Sequence, residues 1–281
     1  MALQLGISPC PNDTYIFSAL VEGRVPLPEY LGPLVTRFAD VEELNALARE
    51  GCLDVTKVSV AAVADILDEY AVLHSGGALG RGCGPLLVAS RPASPEALRN
   101  ETIAIPGART TANMLLSLHG AFAGPRRELI FDAIMPALTR GEYAAGVIIH
   151  ESRFTYAAHG LHLVLDLGEW WEQTTGAPIP LGVIVAKRSL GEDTLRRITA
   201  CIRASLNAAN ADPAAGRPFV RSHAQEMDEN VLAKHIAAFV NEFSLDLGDE
   251  GRFAVERLVT KAADLRGVLL PHGKPMFAPR P

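Results

Sequence analysis

Leu181–Ala186 reads LGVIVA, and the use made of this run decides the fold. It is short, continuously apolar and β-branched at Val183, Ile184 and Val185, the composition of a strand buried on both faces. Pro85–Ser90, PLLVAS, has the same length and character, and each run ends in a basic break, Arg91-Pro92-Ala93 after the first and Lys187-Arg188-Ser189 after the second. Before and between these runs the pattern is β-loop-α. Two matched strands set into such a pattern read as crossovers that carry the chain from a first lobe to a second and back. The expected fold is α/β, two βα lobes joined by two crossover strands, with residues 1–89 plus 187–281 as lobe one and residues 90–186 as lobe two.

Working outward, lobe one opens with a strand at Leu3–Ile7 and a turn through Ser8-Pro9-Cys10-Pro11, after which Asn12 or Asp13 caps a helix over Thr14–Glu22. A strand at Leu34–Ala39 and a helix started by Asp40 follow, then a strand at Leu53–Val58 whose successor helix, Val60–Leu67, has Ser59 as its cap. The glycines of Gly76–Gly84 lack the Lys-Ser/Thr pair of a phosphate loop and read as a hinge. Lobe two begins at Thr102–Ile105, with Thr110 and Thr111 opening a helix that runs to Phe122. Its other strands are Glu128–Phe131, Gly146–Ile149 and Leu163–Leu165. Beyond Ala186 the chain turns helical at Glu192–Asn210, Glu229–Phe243 and Asp249–Arg266, and these helices pack back on lobe one, with the proline-rich tail Pro271–Pro281 draped over the surface.

Composition narrows the function. The chain has 281 residues, 48% of them apolar and 21% charged, with a net charge of −6 and no Lys/Arg run, so a nucleic-acid partner is not expected. MALQLGISPCPND is a first strand and not a signal peptide, nothing apolar reaches membrane-spanning length, and the four scattered cysteines fit reduced thiols in the cytoplasm. The oligomeric state stays open, a homodimer being one outcome.

Polar groups recur where strands end, which is where ligands bind in open α/β sheets. A cleft between the lobes is expected, lined by Pro11-Asn12-Asp13, by Lys57-Val58-Ser59, by Arg81–Gly84 with Cys83 inside it, by Thr110 and Thr111, by His150-Glu151-Ser152 and by the Trp170-Trp171 region. His150 follows the apolar strand directly and is a titratable group delivered to that site. The unpaired amides of the helix opened by Thr110 and Thr111 make an anion site, so the expected ligand is a small carboxylated molecule with an unsaturated or ring portion. Arg109 and Arg153 default to solvated surface positions, and His159 and His162, spaced HxxH without a placed carboxylate, do not make a zinc site.

SPCPNDTYIF at Ser8–Phe17, PGARTTA at Pro106–Ala112 and GVIIHESRFTY at Gly146–Tyr156 together resemble the 1,4-dihydroxy-6-naphthoate synthase family of the futalosine route to menaquinone. The resemblance covers nearly the whole chain and implies a periplasmic-binding-protein type II fold without a secretion signal. It also implies a lyase that cleaves cyclic dehypoxanthinylfutalosine to 1,4-dihydroxy-6-naphthoate without redox cofactor or metal. His150 matches the family's histidine base, and the family's ligand-contacting turns fall on Lys57-Val58-Ser59 and Thr110-Thr111. Asn12, Asp13, Cys83 and Gly84, taken from the expected cleft lining and not from the resemblance, are further substrate-binding candidates. Two alternatives stand beside this reading: a two-lobed solute-binding or sensory protein without catalysis, and a chorismate dehydratase.

Overall fold

The structure is a computed structural model describing residues 2–225 and 228–281. Its strands are β1 Leu3–Ile7, β2 Leu34–Phe38, β3 Val55–Ser59, β4 Tyr70–Val72, β5 Ala78–Gly80, β6 Leu86–Ala89, β7 Ile103–Ile105, β8 Arg126–Glu128, β9 Ala145–Ile148, β10 His162–Asp166 and β11 Ile179–Lys187. The α-helices are α1 Pro11–Val21, α2 Val41–Arg49, α3 Thr111–His119, α4 Phe131–Thr139, α5 Ser152–Thr155, α6 Leu167–Thr175, α7 Glu192–Ala211, α8 Pro213–His223, α9 Glu229–Phe239, α10 Glu242–Leu245 and α11 Gly248–Arg266. The chain forms two compact units, one from Met1–Gly80 and Pro180–Pro281, the other from Arg81–Ile179.

In the first unit the sheet runs β2-β1-β3-β11-β4, with β5 beside β11. The first three strands are parallel and β11 is antiparallel to β3 and β4. Leu5, Ile7, Val55, Ile184 and Ala186 meet Ile16 and Phe17 of α1 and Ile198, Ile202 and Leu206 of α7, so the first helix after β11 is built into this core. Ser205 pins the two helices, its hydroxyl donating to Ile16 O at 2.7 Å and accepting from Leu20 N at 3.0 Å. The second unit's sheet runs β10-β6-β9-β7-β8, with β9, β7 and β8 parallel and β6 antiparallel to both its neighbours.

Several expectations are corrected. β6 pairs with β9 and β10 and so lies in the second unit, while β11 pairs with β3 and β4 and lies in the first, the reverse of boundaries at residues 89 and 186. A run that is apolar throughout reports burial on both faces and not which sheet supplies it. α1 begins at Pro11, which puts Asn12 and Asp13 inside its first turn and not at its cap, because proline is well placed where the amide would be unpaired anyway. Ser59 makes no cap hydrogen bond. The helix expected over Glu229–Phe243 breaks after Phe239, where Asn241 and Ser244 form a reciprocal capping box that starts α10.

The tail is not merely draped. Phe277 and Ala278 are buried, Val72 N donates to Met276 O and Ala278 N to Val72 O, both at 2.9 Å, so the tail adds a short edge to β4. His74, buried beside it, donates from Nε2 to Ala278 O at 2.7 Å, and its Nδ1 has no partner among the described residues. Burial therefore lowers its pKa, because a second proton would place an N–H where nothing accepts it. The unfolded chain then binds more protons at this site than the folded one, so the contribution is complete above about pH 6.5, the unfolded value, and is lost as the pH falls from there through the folded pKa. Thermal melts between about pH 7.5 and 5 should show a steeper loss of Tm in the parent than in His74→Gln, which cannot titrate; equal slopes would refute this role.

Candidate active site

The second unit brings three sequence-selected residues to one edge of its sheet. β9 and β7 are parallel neighbours, so the turns that leave their C-terminal ends emerge side by side, about 5 Å apart from strand to strand. The β9 turn carries His150. Its φ of 56° makes it the one non-glycine residue with a positive φ among the described residues. A left-handed histidine costs of order 1–3 kcal/mol and persists only where the surroundings hold it, a combination that clusters at functional sites. Its imidazole lies edge-on to the buried Phe131 ring, centroids 4.8 Å apart, and Phe131 opens α4 just after β8.

The β7 turn carries the threonine pair. Thr110 caps α3: its hydroxyl accepts from Asn113 N at 3.2 Å and donates to Gly107 O at 2.8 Å. Thr111 is the first helical residue, and both side chains are buried. The turn is tied to the next strand by Ala108 N, which donates to the Glu128 carboxylate at 2.9 Å. Amides of the first helical turn lack intrahelical acceptors and carry the positive end of the helix dipole, so this end suits an anion such as a carboxylate.

Cys83 and Gly84 sit in a packed seam. Burial pushes the Cys83 thiol up to about 12, so it stays protonated near neutral pH. Gly84 lies against Gly168 so closely that a Cβ on either would meet the other's backbone, at 2.2 Å from Gly168 Cα in the case of Gly84. Arg153 corrects the expectation of a solvated surface place: it pairs with Asp166 at 2.9 Å and donates to the Gly84 carbonyl, with its side chain 15% exposed. Trp171 is core, its indole N–H on Pro178 O at 3.3 Å. His159 and His162 are exposed, and no cluster of His, Cys, Asp or Glu suited to a metal ion occurs among the described residues.

In the first unit Asn12, Asp13, Lys57 and Ser59 are all buried. Asp13 Oδ1 accepts from Lys57 Nζ at 2.6 Å and Asn12 Nδ2 at 2.8 Å, and its Oδ2 accepts from the Ser8 hydroxyl at 2.7 Å. The Lys57 stem runs over Gly182 of β11, where a Cβ would sit 2.6 Å from Lys57 Cε. Ser59 is bracketed by Asn45, which accepts from Ser59 N at 2.8 Å and donates to its hydroxyl at 3.1 Å. Val58 is part of the core opposite Val183. Sequence reasoning missed Asn45 and His235. His235 Nε2 bonds Asn12 Oδ1 at 2.9 Å. The signal for His235 was readable, because it occupies a buried stripe of α9 with Leu232 and Phe239 at helical spacing.

A family model described as menaquinone biosynthesis matches residues 3–264. The chain belongs to the menaquinone-biosynthesis family. Two proteins named 1,4-dihydroxy-6-naphtoate synthase are similar to it. The one from Thermus thermophilus is 50% identical over 98% of this chain and 99% of its own. The one from Streptomyces coelicolor is 50% identical over 93% of each. A crystal structure of an Archaeoglobus fulgidus protein superposes with a TM-score of 0.88 at 29% identity, over 95% of this chain and 98% of that one. A Candida albicans protein described as having the generic periplasmic binding protein fold superposes with a TM-score of 0.64 at 14% identity, over 96% of this chain and 92% of that one, which shows that fold here. In this member of the menaquinone-biosynthesis family no helix among the described residues is long and apolar enough to cross a membrane.

Proposed function

We propose that this chain is a carbon–carbon lyase of the futalosine route, converting cyclic dehypoxanthinylfutalosine to 1,4-dihydroxy-6-naphthoate in the cytoplasm, with His150 as general base. The single observation that carries the reading is the left-handed His150 at the end of β9, next to the helix that Thr110 caps. The similarity to two relatives bearing the synthase name supports the choice of reaction. Free cysteines throughout fit a reducing compartment.

The chemistry suits these residue types. The base removes a carbon-bound proton next to the substrate carbonyl, a task for a group that is neutral near working pH, as an ordinary imidazole is. Loss of the sugar-derived fragment then leaves an aromatic bicycle, and aromatisation supplies driving force that the protein need not. The amides of the first turn of α3 hold the carboxylate that the product retains, with Thr110 fixing the helix end. Asn12 and Ser59 are substrate contacts in their own unit, kept in place by His235 and Asn45.

Purified protein incubated with cyclic dehypoxanthinylfutalosine should yield 1,4-dihydroxy-6-naphthoate by mass spectrometry, and chorismate should be returned unchanged. Turnover of chorismate would make the chain a dehydratase, and tight binding of either compound without product would make it a solute-binding protein.

A further inference from the structure

We propose that Arg153 is the positioning residue for His150, bracing the turn after β9 against the ends of the two strands beside it. The inference rests on His150 being the base; the bracing itself is read from contacts that do not depend on that role. At the level of Leu86 the three strands are in one row, Leu86 opposite Ile148 of β9 on one side and Asp166 of β10 on the other. Just beyond that row lie His150, Gly84 and the start of α6. Arg153, three residues after His150 and in the first turn of α5, reaches across the row. One Nη donates to Gly84 O and the other to Asp166 Oδ2.

Both acceptors are themselves immobilised. Asp166 uses its other oxygen to cap α6, accepting from Gly168 N at 2.9 Å and Glu169 N at 3.0 Å. Gly84 and Gly168 touch backbone to backbone, which closes the seam on itself. A planar guanidinium can serve a carbonyl and a carboxylate together, whereas an ammonium is a single point charge that cannot keep both directions. The pair is only 15% and 14% exposed, so solvent and salt screen it weakly. His150 stands in a backbone conformation that its own side chain disfavours, and the turn after it carries an Arg153 N to His150 O contact of 3.4 Å and a Phe154 N to Glu151 O hydrogen bond of 2.8 Å. Arg153 supplies the over-determination that such a conformation requires.

The experiment compares Arg153→Ala, Arg153→Lys and Asp166→Asn, each in the parent and in His150→Asn, using the full chain with ¹³C-labelled histidine. The His150 imidazole resonance is assigned by its disappearance in His150→Asn. Arg153→Ala and Asp166→Asn should shift and broaden that resonance, and lower kcat by about 10- to 100-fold while KM moves much less. Arg153→Lys should fall between them and the parent. In the His150→Asn background the same changes should have no further effect on the residual rate, because a positioning residue has nothing left to position. An unmoved His150 resonance in both Arg153→Ala and Asp166→Asn would overturn the proposal, as would an equal loss of kcat in the two backgrounds. If Arg153→Ala does not fold, Asp166→Asn decides, since asparagine keeps the α6 cap and removes only the charge. If His150→Asn proves as active as the parent, the base assignment falls and the resonance still judges the bracing.

Discussion

His150→Asn should remain folded and lose about 10²- to 10⁴-fold in kcat on cyclic dehypoxanthinylfutalosine. Asparagine is the informative choice because it tolerates the left-handed region, so the φ of 56° at this position is kept while the titratable nitrogen is removed. Alanine would confound the two, adding backbone strain to the loss of the base. Glycine separates them from the other side: His150→Gly relieves the strain, so its Tm should equal or exceed that of the parent while its kcat falls as far as that of the asparagine variant. The pH profile is a second reading. The parent should lose kcat/KM on the acid side as its base is protonated, and the residual rate of either variant should lack that limb. A variant that keeps more than about a tenth of the parent rate would remove His150 from the chemistry, since a positioned general base contributes more than that.

Some features set by adjacent residues were legible in the sequence, while the start of α1 at Pro11 and the break after Phe239 were not. β1 is found at Leu3–Ile7 as expected, and Asp40 and Thr110 cap the helices they precede, because strand composition and a cap need only adjacent residues. Ser59 has the residue type of a cap yet makes no cap bond, since Asn45, far away in sequence, takes its hydroxyl. α8 was missed because Pro213 and Pro218 break the usual helix signal, although Pro213 sits harmlessly in the first turn. At the site, a histidine ending an apolar strand was legible, but its left-handed backbone was not. The seam of Arg153, Gly84, Asp166 and Gly168 beside it was not legible either, because its members are brought together by β6, β9 and β10 and not by sequence proximity.

The largest stability effect is expected at Asp13. Removing one member of a buried ion pair leaves a charge without compensation, which costs about 3–5 kcal/mol. The two ends of this pair are unequal. Take away Lys57 and the Asp13 carboxylate still has Asn12 Nδ2 at 2.8 Å and the Ser8 hydroxyl at 2.7 Å. Take away Asp13 and the ammonium loses its ion-pair partner at 2.6 Å, with its stem still packed over Gly182 and its side chain only 6% exposed. Asp13→Ala should therefore lower Tm by roughly 6–20 °C, at 2–4 °C per kcal/mol for a chain of this order, and Lys57→Met by clearly less. The combination Asp13→Leu with Lys57→Met should recover much of the loss, because replacing both charges by apolar groups of similar size removes the desolvation penalty with the attraction. Melts of the four proteins decide it: a Lys57→Met protein as unstable as Asp13→Ala would show that Ser8 and Asn12 do not sustain the carboxylate. Activity then separates fold from function. A double variant as stable as the parent that no longer turns over substrate would mean that the pair is kept for what Asn12 and Lys57 present to the ligand, since its contribution to stability would have been shown to be replaceable.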